Sequence, residues 1–174
     1  MGFSPDVSPP RLFLVVLGGR LARANIELHD VRFVAAASIE DAFPLLRQQW
    51  FGSRRGLHLD SYLELNFVDG YRVELRNEPF PGSDRLWFVN FGGYDPEELA
   101  ELHRFSLFVA PTARAAAGRA RRSLLPQAIP RHKDDLHAVD DCLALERVQT
   151  WWVHLVPDGR SQPFRPDWYG YRLI

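Results

Sequence analysis

LFLVVLGGRLARANIELHDVRFVAAAS, residues 12–38, and LWFVNFGGYDPEELAELHRFSLFVAPT, residues 86–112, are the same stretch written twice. The match runs without a gap from residues 12–65 onto 86–139 at an offset of 74, and its twelve identities are clustered. Gly18-Gly19 falls on Gly92-Gly93, Glu27-Leu28-His29 on Glu101-Leu102-His103, and His58-x-Asp60 on His132-x-Asp134. A period of that length is too long for a solenoid and suits a half-domain packed against its own duplicate. The expected arrangement is a pseudo-twofold one, an intramolecular dimer.

Working outward, the apolar run 12–17 ends at Gly18-Gly19 and predicts a strand buried on both faces. In the second copy Asp95 caps, Pro96 follows at the first helical position, and Glu97 and Glu98 favour a helix dipole. A short helix is therefore expected over 95–103, and by the repeat over 21–29. Val- and Phe-rich segments at 31–36 and 105–110 predict strands. Ser38 and Thr112 are N-cap residues for a second helix in each copy. In the first, Ile39, Ala42, Phe43, Leu46 and Trp50 form one apolar face. Hairpins of 62–67 with 71–75 around Asp69-Gly70, and of 142–145 with 151–156, close the two units. The predicted class is α+β: a duplicated β-α-β-α-β-β unit with helices on antiparallel or mixed sheet. The repeats span 12–78 and 86–157 and merge into one domain, with an aromatic tail over 158–174 that docks on the surface.

The net charge of −1 supplies no field to collect nucleic acid or an anionic membrane. A single cysteine, Cys142, excludes an intramolecular disulfide and points to a reducing cytoplasm. No apolar stretch approaches the ~18 residues of a membrane span. The cluster Arg114, Arg119, Arg121 and Arg122 lacks interleaved aromatics and reads as a solvated helix face.

The glycine pairs follow strands, where phosphate loops occur, but carry neither dinucleotide nor P-loop spacing, and a tight turn explains them. Glu27, His29, Glu101 and His103 could hold a metal. On a helix, however, positions i and i+2 diverge, so a capping role at a helix C-terminus is the simpler account. His58, Asp60, His132, Asp134 and His137 are the better metal candidates, because imidazole with carboxylate suits Zn²⁺, Mn²⁺ or Fe²⁺. Their competing role is a turn in which Asp folds back on the backbone. If they serve chemistry, a composite site at the junction of the halves is the expected place.

The strings ANIELHDVRFV, SIEDAFPLLRQQWFG, LHLDS, VDGYRVEL, FVNFGGYDPEE, HKDDLHAVDDC and PDWYGY together resemble the bacterial family called domain of unknown function 1543. The resemblance covers nearly everything from Leu12 onward, in both halves. It implies a small bacterial protein with one or two copies of a short domain and no established activity, so no residue role is carried over. With no catalytic motif, the first reading is a non-catalytic binding or protein-interaction module, monomeric or homodimeric. The alternative is a metal-dependent enzyme using the duplicated His-x-Asp loops, a divalent metal being the one candidate cofactor.

Overall fold

The computed structural model describes residues 10–93, 97–124 and 141–174. The first half opens with β1 (Arg11–Gly19) and β2 (Leu28–Ala36), an antiparallel pair in unbroken register from Arg11 opposite Ala36 to Gly19 opposite Leu28. The helix expected over 21–29 is therefore absent. The ladder runs through both glycines, and only residues 20–27 are left to connect the strands. The second half repeats this with β6 (Arg85–Gly93) and β7 (Leu102–Ala110), paired down to Gly93 opposite Leu102. There too the E-L-H segment runs into a strand. Asp95 and Pro96, the proposed helix start, lie outside the described residues.

Each hairpin carries one helix, α1 (Ile39–Gln49) and α2 (Ala113–Leu124). Ser38 Oγ accepts from the Asp41 N–H at 3.2 Å, and Thr112 Oγ1 accepts from the Ala115 N–H at the same distance. Both caps are those read from the sequence. Ile39, Ala42, Leu46 and Trp50 bury against Phe13, Val15, Leu17 and Val34. The poorer face of α2 offers Ala116 and Ala120 to Val89, Phe91 and Phe108. The alternate residues of β1, Leu12, Leu14 and Val16, face a second core shared with Leu86, Phe88, Leu107 and Leu155 of the other half. Period-two alternation thus assigns one face of β1 to its helix and the other to the junction.

Outside β1 lies β3 (His58–Glu64), and outside β3 lies β11 (Trp168–Leu173), giving a sheet ordered β11-β3-β1-β2. The corresponding sheet of the second half is β7-β6-β8, with β8 (Asp141–Ala144) in the place of β3. A third sheet joins the halves: β4 (Phe67–Val68), β5 (Tyr71–Arg76), β10 (Trp151–Pro157) and β9 (Arg147–Val148), in that order. Among the described residues, each unit therefore runs β-β-α-β-β-β, not β-α-β-α-β-β. Only two-residue strands, β4 and β9, form hairpins with β5 and β10, whereas β3 and β8 pair with the central strands.

Strand register also corrects the repeat. Tyr62 lies opposite Val15, and Cys142 lies opposite Val89, so the central strands keep the offset of 74 while the outer strands are offset by 80. The six extra residues fall between Leu124 and Asp141. With the offset of 80, Glu74 matches His154, and these two residues lie opposite each other in the β5–β10 ladder. Val73 pairs with Leu155 and Leu75 with Val153 on either side. The ladder is isologous, and the pseudo-twofold axis passes through it.

Candidate functional site

Gly18 lies opposite His29 on β2 and opposite His58 on β3, so the last turn of pleat on β1 is a bare patch between two imidazoles. A β-bulge between Val16 and Leu17 leaves Asp60 as the extra residue of β3. Its consequence is a change of face. Leu57 and Leu59 pack on the helix side, while Leu63 and Leu65 pack in the shared core, which an unbroken strand could not achieve. The bulge leaves His58 on the Gly18 side with Asp60 beside it.

In an extended segment positions i and i+2 share a face. Glu27 and His29, which would diverge on a helix, therefore reach the same place. His29 Nε2 is 3.3 Å from Asp60 Oδ2 and 3.7 Å from Glu27 Oε1. His58 Nε2 is 3.3 Å from Asp60 Oδ1 and 3.8 Å from Glu27 Oε2. One donor atom from each of Glu27, His29 and His58 falls within 4.8 Å of the others. Exposure is graded, from 2% for the His58 side chain to 27% for Asp60, 43% for Glu27 and 52% for His29.

The His58 ring is held from two sides. Its Nδ1 lies 2.9 Å from the Gly56 carbonyl, which can only accept, so a neutral ring carries its proton there and presents a lone pair at Nε2. Tyr171 of β11 covers the ring at a centroid distance of 4.1 Å, which gives the aromatic tail a place in the site. Asp60 Oδ2 is buried without a hydrogen-bond partner. Burial pushes the Asp60 carboxyl above its ordinary range; His58 and His29 oppose the shift and Glu27 adds to it. Space, not backbone conformation, requires glycine at position 18. A Cβ there would overlap His58 Nε2, lie 2.8 Å from its Cε1 and 3.0 Å from Asp60 Oδ2. Neither a phosphate loop nor a tight turn describes this pair, since both glycines are strand residues and Gly19 admits the Trp50 indole.

The second half keeps part of the arrangement. Gly92 lies opposite His103, and His103 Nε2 is 3.8 Å from Glu101. His132, Asp134 and His137 lie outside the described residues.

An open groove of about 620 Å³ runs between the halves, and both His29 and His103 line it. Other sequence candidates are occupied structurally. Arg119 pairs with Asp69 at 2.8 Å and donates to the Val109 carbonyl, and Cys142 sits on β8 with its thiol pushed up by burial. Among the described residues, no helix is long and apolar enough to cross a membrane.

Residues 24–75 and 98–147 each match the family described as Domain of Unknown Function (DUF1543). The chain belongs to the DUF1543 family. Glu27, His29, His58 and Asp60 all fall within the first DUF1543 match, and Glu101 and His103 within the second. The chain is also similar to a protein of known structure, "protein Il1583 from Idiomarina loihiensis", at 42% identity and a TM-score of 0.75. The similarity covers 94% of this chain and 98% of that one. No curated protein matches the chain. Neither DUF1543 nor the Idiomarina protein bears a name that assigns an activity.

Proposed function

We propose that this protein binds a divalent transition-metal ion in its first half, with Glu27, His29, His58 and Asp60 as ligands. One observation carries the reading: four contacts of 3.3, 3.3, 3.7 and 3.8 Å between imidazole nitrogens and carboxylate oxygens. Ligands at ~2.1 Å from one ion in tetrahedral geometry lie about 3.4 Å apart; one donor atom each of Glu27, His29 and His58 already converges to within 4.8 Å, and Asp60 reaches both imidazoles through its two different oxygens. The His58 Nδ1 contact to Gly56 is the outer-shell bond that orients a ligating imidazole. An ion would also give a ligand bond to Asp60 Oδ2, which makes no hydrogen bond beside its 3.3 Å contact to His29, and offset the repulsion between two carboxylates.

Two imidazoles with two carboxylates suit Zn²⁺, Mn²⁺ or Fe²⁺ rather than Ca²⁺ or Mg²⁺. The half-exposed Glu27 and His29 leave one side open to solvent, unlike a closed structural site. This reading takes up the divalent metal of the metal-dependent enzyme read as the alternative from sequence, and is equally compatible with a non-catalytic binding module. Its ligand set moves from the His-x-Asp loops of both copies to the E-L-H and H-L-D segments of one.

The deciding measurement is metal content after chelation and reloading with Zn²⁺ or Co²⁺. One equivalent is expected to vanish in His58→Ala and to remain in His103→Ala. Full retention in His58→Ala, with the fold intact by circular dichroism, overturns the reading.

A further inference from the structure

The groove between the halves and the proposed ion site share a wall, because His29 belongs to both. An ion bound by His29 Nε2 at ~2 Å sits at the edge of the groove. Its buried side is taken by His58 and Asp60, so a further ligand that widens the coordination beyond four enters from the side of Glu27 and His29, of which His29 lines the groove. We infer that the groove holds a small organic ligand with a flat apolar body and an oxygen-donor head that completes the coordination of this ion; the inference rests on the metal reading.

The floor argues for the body. Phe33 of the first half meets Phe88 of the second edge-on, at 5.4 Å between centroids and 71°, and Phe105 lies 5.6 Å beyond. Leu143 of β8 lines the same groove while 51% exposed, apolar surface without cover. A volume of about 620 Å³ falls in the ~300–1,000 Å³ range of small-molecule sites. Charge argues for the head. Two carboxylates neutralise a divalent ion, so the loaded site has no surplus positive charge for a polyanion such as a phosphate ester. A neutral or singly charged bidentate oxygen donor, of the carboxylate or hydroxamate kind, fits that balance. The opposite wall offers His103, whose Nδ1 lies 3.4 Å from the Asn90 amide nitrogen.

The experiment uses Co²⁺-loaded full-length protein, so that the visible spectrum reports metal occupancy and calorimetry reports the organic probe. Benzohydroxamate and acetohydroxamate carry one head on two bodies. Benzohydroxamate is expected to bind at least about tenfold more tightly, the advantage vanishing in Leu143→Arg while Co²⁺ uptake and acetohydroxamate affinity stay unchanged. Equal affinity of the two probes, or an advantage that survives Leu143→Arg, overturns the groove inference and leaves the metal reading standing. Failure of the protein to take up Co²⁺ overturns both.

Discussion

Gly18 and His58 show how much one side chain can decide. Alanine at position 18 adds a methyl group where His58 Nε2 and Asp60 Oδ2 converge, inside a strand whose neighbours are fixed by β-pairing on both sides. Gly18→Ala is expected to keep the fold by circular dichroism and to weaken Zn²⁺ binding at least about tenfold in a competition titration. Unchanged affinity would mean that the imidazole is not a ligand. Cys142 makes a second test at this scale. Burial raises its thiol pKa, so at any pH the thiolate fraction is smaller than that of a free cysteine. Alkylation by iodoacetamide at neutral pH should be slower than for glutathione and should recover as pH rises. A rate equal to glutathione at neutral pH would contradict the partial burial of this thiol.

At the scale of elements, the two helices are bounded by the same device at equivalent positions. Ser38 caps α1 and also hydrogen-bonds Asp41 Oδ2 at 2.6 Å. Ser38→Ala is expected to cost about 1 kcal/mol, seen as a fall of about 2–4 °C in Tm for a chain of this size. The bulge at Asp60 is the element-scale feature with most consequence, because it lets β3 serve the helix-facing core at one end and the shared core at the other. The same irregularity places the Asp60 carboxylate between His29 and His58, in the proposed ion site. Bulges commonly re-aim side chains in this way.

For the whole molecule, the halves exchange turn contacts as well as strands. Asp69, in the turn of the first half, accepts from the Val109 N–H of the second at 2.7 Å. Gln149, its counterpart at offset 80, accepts from the Ala35 N–H of the first half, also at 2.7 Å. Both residues have positive φ, 52° and 57°. Asp69→Ala strands the Val109 amide, removes the carboxylate partner of Arg119 and places alanine at a φ to which it is less suited than Asp. A loss of roughly 2–3 kcal/mol is expected in urea unfolding, against a smaller loss for Asp69→Asn, which keeps an acceptor. Unfolding should remain a single transition, because the β5–β10 ladder and the shared core belong to neither half alone. Two separate transitions would refute the merged core.

Local signals carried the duplication, the two capped helices, the strands at 31–36 and 105–110 and the buried central strands, since caps and periodicity act between neighbours in sequence. The helices expected over 21–29 and 95–103 rest on a start signal at Asp95-Pro96 carried to the first copy by the repeat, with Gly-Gly read as the end of the preceding strand. Only pairing on both sides shows it to be the end of a ladder. The E-L-H and H-L-D segments are each visible in the sequence, yet their meeting is not. It depends on β1 lying between β2 and β3 and on a bulge that sets the face of His58. Sequence alone determined which side chains could ligate. Tertiary structure decided which of them meet, because strand order and register arise from long-range pairing that no local pattern encodes.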